Sequence, residues 1–229
     1  MQNIYKYIIF NTLWALAILP TNAQTEKKDT TSTTTAWYNG FRAEIDLAPV
    51  VSSFLGNGEI FSYEGAVQAY LLNKYYPVIE IGYAGVNHNT INDINFNTSG
   101  MFARLGVDFN LVKPKKDAKP NNNVFLAGAR LGFSSFKYDM TNIIVTDNYW
   151  NETTTLNFTN EPASKIWFEV VAGMRVEIFK NIFMGWNVRN RHILGQSITG
   201  EMSPWYIPGF GKNINGSNWG VNYSIGYKF

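Results

Sequence analysis

Residues 219–229 alternate strictly between two kinds of side chain and read W-G-V-N-Y-S-I-G-Y-K-F. Large apolar residues occupy the odd positions from Trp219 to Phe229, while small or polar residues and Lys228 occupy the even ones. Because successive side chains of a β-strand point to opposite faces, this pattern predicts a strand with one apolar and one polar face. Whether the apolar face meets a protein core or lipid then decides the class of protein.

The same alternation recurs seven times upstream and predicts an all-β chain with an even number of strands. The predicted strands are 39–50, 61–72, 78–87, 99–112, 124–137, 165–179, 182–194 and 219–229. Connections after the first, third, fifth and seventh strands are longer on average than those between them. This asymmetry is typical of an eight-stranded antiparallel up-and-down transmembrane β-barrel with short turns at one rim and long loops at the other.

The N-terminal region shows the features of export. Lys6 precedes an apolar segment from Ile8 to Leu19, and small residues stand before Gln24, so residues 1–23 are predicted to be a signal peptide. An N-terminal membrane anchor is the alternative. Residues 24–36 are Thr-rich and polar and predict a flexible leader, which leaves 37–229 for the barrel. No later segment is apolar enough for a spanning helix, so a membrane protein of this composition must span as a closed barrel.

The predicted apolar faces carry no charge, whereas the opposite faces collect seven basic and seven acidic residues. These are Arg42, Glu44, Asp46, Glu64, Glu80, Arg104, Asp108, Arg130, Glu169, Arg175, Glu177, Arg189, Arg191 and Lys228. A basic group facing hydrocarbon at mid-depth costs about 2–4 kcal/mol, so the charged face of a membrane barrel must look inward. Eight strands leave an interior just wide enough for side chains. We therefore predict a lumen filled by charged side chains that neutralise one another. The equal numbers of basic and acidic residues disfavour a small channel.

A two-residue alternation does not by itself show which face of the sheet points into the barrel. A secreted, soluble lipocalin-like barrel would place the same apolar residues in its core and the same charges in water. The loop asymmetry and the length of the apolar faces favour the membrane barrel, whose first partner is outer-membrane lipid.

The last strand resembles the C-terminal signal of bacterial outer-membrane barrels, with Phe229 at the end and Tyr227, Ile225 and Tyr223 at alternate positions before it. The chain as a whole resembles the small barrels that include the OmpA-type and OmpX-type proteins. The segments G-W-N-V-R-N-R (185–191) and P-W-Y-I-P-G-F-G (204–211) also resemble an uncharacterised family of such barrels. The resemblance implies a location in the bacterial cell outer membrane and insertion by the barrel-assembly machinery, which would read these four residues.

Few residues point to chemistry. The chain has no cysteine, which excludes disulfides, thiolate metal sites and a lipoprotein anchor. His88 and His192 lack metal-ligand spacing, and we expect no metal and no cofactor. His192 has Ser197 and Glu201 nearby, and Ser99 follows His88, so a lipid- or lipid-A-modifying enzyme is an alternative. Removal of residues 1–23 leaves a net charge of +1, which gives no electrostatic footprint for nucleic acid.

The leading hypothesis is a non-enzymatic outer-membrane barrel with a structural, adhesion or surface-interaction role through two long external loops, 138–164 and 195–218. Alternating pieces of the first loop could extend the flanking strands as a projecting hairpin. In the second, Trp205, Tyr206 and Phe210 are candidate contact residues for an external ligand that the sequence does not identify. Alternatively, these rings pack over the barrel mouth or lie in the aromatic belt.

Overall fold

The computed structural model describes residues 37–49, 59–72, 74–90, 93–112, 123–146, 149, 152–199 and 204–229. The predicted signal peptide and polar leader lie outside these residues. No helix in the described ranges has the length and apolar character needed to cross a membrane. The strands are β1 (Tyr38–Asp46), β2 (Ile60–Leu71), β3 (Tyr75–Asn89), β4 (Asn95–Asn110), β5 (Val124–Thr146), β6 (Thr153–Phe179), β7 (Ile182–Thr199), β8 (Tyr206–Ile207), β9 (Gly211–Lys212) and β10 (Ser217–Lys228).

Eight of these strands close into one antiparallel barrel. The order around the barrel is β1-β10-β7-β6-β5-β4-β3-β2, so each strand pairs with its neighbours in the chain and the last long strand pairs with the first. The sheet closes where Ala43 pairs with Tyr227 and Ile45 with Ile225. The predicted eight-stranded up-and-down barrel is confirmed. The β8–β9 pair forms a separate two-stranded hairpin between β7 and β10.

The two rims of the barrel differ. We call the rim that contains Tyr38 and Lys228 the terminal rim, and the opposite one, where β5 and β6 are longest, the hairpin rim. At the terminal rim Lys180 and Asn181 connect β6 to β7 as the predicted two-residue turn, and Asn181 takes a φ of 67°, which asparagine tolerates better than most residues.

At the hairpin rim the strands run past their predicted ends. β5 continues to Thr146 and β6 begins at Thr153, so most of the loop predicted at 138–164 is a projecting hairpin, as its alternating pieces suggested. Likewise β3 ends at Asn89 and β4 begins at Asn95. Hydrogen bonding between adjacent strands continues here although the apolar side chains give way to Asn and Thr.

The apolar faces point outward. On β4, Met101 is 69% exposed and Leu105 60%, whereas their neighbours Phe102 and Arg104 are 3% and 1% exposed. The same alternation holds on β5, where Phe125, Leu131 and Phe133 are about half exposed or more. The soluble lipocalin-like alternative requires the reverse arrangement and is therefore contradicted.

The barrel interior has three layers. Towards the hairpin rim lies a cluster of buried apolar residues that includes Phe102, Phe136 and Trp167, and towards the terminal rim lies a smaller one with Tyr70 and Tyr76. Charged residues fill the middle. The predicted charged and side-chain-filled lumen is confirmed, with apolar layers above and below it that the strand pattern did not predict.

Candidate functional site

Glu80 on β3 is the centre of the lumen charges. Its carboxylate lies 3.0 Å from Arg104 Nη1, 3.0 Å from Arg130 Nε and 2.6 Å from Arg189 Nη1. These arginines come from β4, β5 and β7, so a single carboxylate joins opposite walls of the barrel. All four side chains are at least 95% buried. A charge buried this deeply is tolerated because it is paired and hydrogen-bonded.

Three further carboxylates complete the network. Glu169 accepts a hydrogen bond from the Trp167 indole at 2.6 Å and lies 2.8 Å from Arg104 Nε. Glu64 lies 2.8 Å from Arg104, and Asp108 lies 2.8 Å from Arg130 and 2.7 Å from the side-chain amide of Gln68. A fourth arginine, Arg191, lies 3.3 Å from Glu169. Four carboxylates and four guanidinium groups therefore form one continuous and electrically balanced network.

The other predicted lumen charges lie outside this network. Arg42 pairs with Glu44, Arg175 donates to the Tyr70 hydroxyl at 3.2 Å, and the Lys228 ammonium lies 4.5 Å from the centre of the Tyr70 ring. Glu177 accepts a hydrogen bond from the backbone N–H of Asn181 at the terminal rim. Asp46 accepts from the backbone of Ala48 and Tyr223 and from the side chain of Asn222.

Two cavities lie among these side chains. One, of about 30 Å³, separates the Arg42–Glu44 pair from Glu80, Asp108 and Arg130, and it holds one or two water molecules. The other, of about 240 Å³, lies beside Tyr206 and Gly209 and reaches Asp46, Glu64, Arg104 and Arg191. The buried charge network around Glu80 occupies the middle of the described barrel.

Three further interior residues lie on the inward faces of the strands but were not among the fourteen predicted lumen charges. Lys165 is 5% exposed and Gln68 1%, and Trp167 is fully buried with its indole on Glu169. Lys165 is the first residue of the predicted strand 165–179 and shares the inward parity of Glu169 and Trp167, so the period of that strand places it inside. Nothing in the sequence indicated that Gln68 donates to Asp108.

The β8–β9 hairpin fills the barrel mouth. Tyr206 is 6% exposed, and Ile207 and Phe210 are fully buried. Arg104 donates to the carbonyl of Gly209 at 2.7 Å, and Arg191 donates to that of Phe210 at 3.0 Å. The lumen arginines therefore fix the hairpin through its backbone. Burial raises the pKa of the Tyr206 phenol to about 12, so that ring stays neutral in the mouth.

Two of the three candidate contact residues are therefore not surface residues. Tyr206 and Phe210 pack inside the mouth, Phe210 edge-on to Trp167 with ring centres 5.9 Å apart. Their interpretation as exposed contacts is wrong, because both side chains are buried in the apolar layer towards the hairpin rim. The alternative, in which these rings pack over the barrel mouth, holds for these two residues. Trp205 is half-buried at the opening, where its ring stacks on His88 at 5.1 Å and lies under the Lys212 ammonium.

The described residues do not assemble the hydrolytic site that the sequence allowed. His88 Nδ1 lies 2.7 Å from Glu59, while Ser99 accepts a hydrogen bond from the Tyr83 hydroxyl at 3.0 Å on the outer wall. His192 is exposed on β7. The Ser197 side chain and Glu201 lie outside what the structure describes. Within the described ranges no group of three or more potential metal ligands occurs.

Beyond the barrel wall, the β5–β6 hairpin has no neighbouring strand among the described residues. Pairing with β4 ends at Asn95 and Thr141, and pairing with β7 ends at Ala163 and Thr199. Tyr149 at its tip is 83% exposed. This hairpin is the largest projecting element of the part that the structure describes.

Three residues of the candidate assembly signal lie on the outer face of β10, and the fourth, Phe229, directly follows that strand. Phe229 stacks on Phe41 of β1 with ring centres 4.7 Å apart, and its backbone N–H donates to the Phe41 carbonyl. The Tyr227 ring meets the Phe229 ring at 4.9 Å. Ile225 pairs with Ile45, and the Tyr223 hydroxyl lies 3.5 Å from the sulfur of Met184. The signal residues thus line the seam where the barrel closes.

Fold and interior together define a small closed β-barrel with a charged, side-chain-filled lumen and an apolar exterior. The chain belongs to the family described as a domain of unknown function (DUF6048), whose model matches residues 4–229. The interpretation as a member of an uncharacterised barrel family is thereby confirmed. No curated protein matches the sequence.

Two solved structures are similar in outline. The N-terminal β-barrel domain of Pseudomonas aeruginosa OprF is 12% identical, with 83% of this chain and 98% of that chain covered and a TM-score of 0.41. Neisserial surface protein A (NspA) is also 12% identical, with 84% and 99% covered and a TM-score of 0.44.

Proposed function

We propose that the protein is an integral barrel of the bacterial outer membrane that seals its own lumen and holds the β5–β6 hairpin at the cell surface, in a structural or surface-interaction role. The orientation of the side chains carries the proposal. Of the fourteen predicted lumen charges, nine are nine-tenths or more buried, while large apolar side chains such as Leu105 and Val170 are exposed.

The exposed apolar residues form a band of the right height. On β5 the outward side chains run from Phe125 to Phe133, about 27 Å along the strand at the usual rise of a β-strand. With the tilt usual in barrels, this spans about 20 Å of membrane, close to the apolar band of outer-membrane barrels. Such a band would be an aggregation surface in water.

The rims support one orientation in the membrane. Short turns such as Lys180–Asn181 belong to the periplasmic rim of outer-membrane barrels, and longer elements to the external rim. The hairpin rim would then face outward. Because Tyr206 and Phe210 are buried, the β5–β6 hairpin is the better candidate for surface contacts than the segment 195–218.

Cell fractionation tests the membrane assignment. We expect the protein in the outer-membrane fraction, with release only by detergent, and recovery in the soluble fraction would contradict the proposal. Purified protein in planar bilayers should give no steady conductance, because the lumen is filled. Stable conductance would favour the channel alternative.

Epitope insertion tests the orientation. A tag inserted after Tyr149 should bind antibody on intact cells, whereas the same tag between Lys180 and Asn181 should bind only after permeabilisation. The opposite result would place the hairpin in the periplasm and end its assignment as a surface element. Replacement of His88 and His192 by alanine should leave lipid A unchanged, and an altered lipid A would favour the enzyme alternative.

A further inference from the structure

One basic side chain of the barrel strands points outward and not into the lumen. Among the described residues, the barrel strands carry nine basic side chains, and eight of them face the interior. These eight are Arg42, Arg104, Arg130, Lys165, Arg175, Arg189, Arg191 and Lys228. The ninth, Lys137 on β5, is exposed and shares the outward parity of Phe133.

Lys137 stands over an external groove of about 470 Å³ that crosses β3, β4, β5 and the start of β6. Register places Ser99 directly opposite Lys137, and Met101 directly opposite both Tyr83 and Ser135. The small serines leave the groove open between larger neighbours. Three hydroxyl groups therefore line one side of the outer wall, and the Tyr83 hydroxyl donates to that of Ser99 at 3.0 Å.

The charge of the groove is available to a ligand. Lys137 forms no ion pair with any described residue. The one carboxylate in the lining, Asp139, accepts a hydrogen bond from the backbone N–H of Asn160 at 2.7 Å, which directs an oxygen towards the hairpin. An ammonium group and the two serine hydroxyls of Ser99 and Ser135 remain to face an anion.

The groove also lies at a boundary. Below it, Met101 is 69% exposed and Phe133 48%, and both belong to the outward apolar band. Above it, Asn97 and Asn160 lead to the polar hairpin. A molecule that filled this groove would meet hydrocarbon at one end and water at the other.

We propose that the groove binds the anionic, phosphate-bearing headgroup of a membrane lipid, an inference that rests on the membrane location proposed above. Lys137 pairs with the phosphate, and the hydroxyls of Ser99 and Ser135 donate to its oxygens. The Tyr83 hydroxyl, which donates to Ser99, orients that serine so that its own proton is free for the phosphate. The acyl chains run over Met101 and Phe133 into the surrounding bilayer. Lipid is favoured over free phosphate because one exposed ammonium binds a dissolved anion weakly, whereas a lipid is already held beside the groove at high effective concentration.

Native mass spectrometry of the detergent-purified protein tests the site with three probes: phosphatidylglycerol, phosphatidylcholine and inorganic phosphate. We expect bound phosphatidylglycerol, less phosphatidylcholine and no retained inorganic phosphate. Lys137→Gln should weaken phosphatidylglycerol binding about fivefold, the effect of one cation at an anionic lipid surface. Ser135→Leu, which fills the groove and keeps the charge, should weaken it as well.

Lys180→Gln is the matched control, since it removes an exposed cation in the turn at the opposite rim. Equal binding by the wild type, Lys137→Gln and Ser135→Leu would overturn the lipid site, as would equal binding of the two phospholipids or retention of inorganic phosphate. If these negative results come from protein that needs detergent for extraction, only the lipid site fails. Protein recovered without detergent would remove the membrane location and the lipid site together.

Discussion

At the scale of single residues, Glu80 is the carboxylate at the centre of the lumen network. It contacts Arg104, Arg130 and Arg189, and no other described carboxylate contacts all three. Glu80→Gln keeps the shape and removes the charge, so three buried guanidinium groups lose a shared counter-ion. We expect a loss of about 3–5 kcal/mol in the free energy of unfolding, measured by urea titration in lipid vesicles.

Glu177→Gln is the control for that substitution. Glu177 is only half-buried, at the terminal rim, and we expect a loss below about 1 kcal/mol because exposed charges contribute little. Equal losses in the two variants would mean that the network is not the source of stability.

Gly132 is a residue whose lack of a side chain matters for packing. It lies against the Trp167 ring, and an added methyl group would overlap the indole. Gly132→Ala should displace Trp167 from Glu169 and lower the free energy of unfolding by about 1–3 kcal/mol. In Gly185→Ala the new carbon would meet only the rotatable Ser224 hydroxyl at 2.9 Å, so a smaller loss is expected. Tryptophan fluorescence should shift to the red relative to the wild type if Trp167 leaves its buried site.

At the scale of structural elements, the β8–β9 hairpin is anchored by buried side chains, of which Phe210 is the one aromatic ring with no exposed surface. Phe210→Ala removes a fully buried ring from the upper apolar layer and should cost about 3–5 kcal/mol. The hairpin should also become a substrate for proteases in folded protein. Ile214→Ala, at a residue 62% exposed, should change neither measurement. Protease resistance in Phe210→Ala would show that the lumen arginines hold the hairpin without the ring.

The closing strand β10 combines a packing role with a proposed assembly role, and the two can be separated. Phe229→Ala should reduce the amount of barrel in the outer membrane of cells several-fold, while purified protein refolds in detergent nearly as well as wild type, because Phe229 is 61% exposed. Phe179→Ala is matched, since that ring is 71% exposed on β6 near the same rim. Equal cellular levels of the two variants would argue against recognition of Phe229.

The elements also show how far the sequence alone could lead. Alternation located all eight barrel strands and the inward face of residues such as Arg104 and Arg130, because a lipid-facing strand tolerates few exceptions. It left open whether Trp205, Tyr206 and Phe210 are exposed or pack over the barrel mouth, since that depends on Arg104 and Arg191 donating to the carbonyls of Gly209 and Phe210. Nor could it show the groove at Lys137, which depends on the register of four strands.

At the scale of the whole molecule, the barrel inverts the usual arrangement of a soluble protein, and a single substitution tests that inversion. Leu105 is 60% exposed near the centre of the apolar band on β4. In a bilayer, Leu105→Arg places a guanidinium group in hydrocarbon and should cost about 2–4 kcal/mol in vesicle unfolding experiments. Asn95→Arg, on the same strand at the hairpin rim, should cost about 0–1 kcal/mol because the group reaches water.

The same pair of variants distinguishes the membrane barrel from any water-soluble one. In water, an exposed arginine in place of an exposed leucine removes apolar surface from solvent, so Leu105→Arg would leave stability unchanged and raise solubility. A stability cost of arginine that falls from the middle of β4 to its end is thus a property of the bilayer and not of the barrel. If Leu105→Arg and Asn95→Arg unfold at the same urea concentration in vesicles, β4 does not cross the membrane, and the sealed charges of the lumen need another explanation.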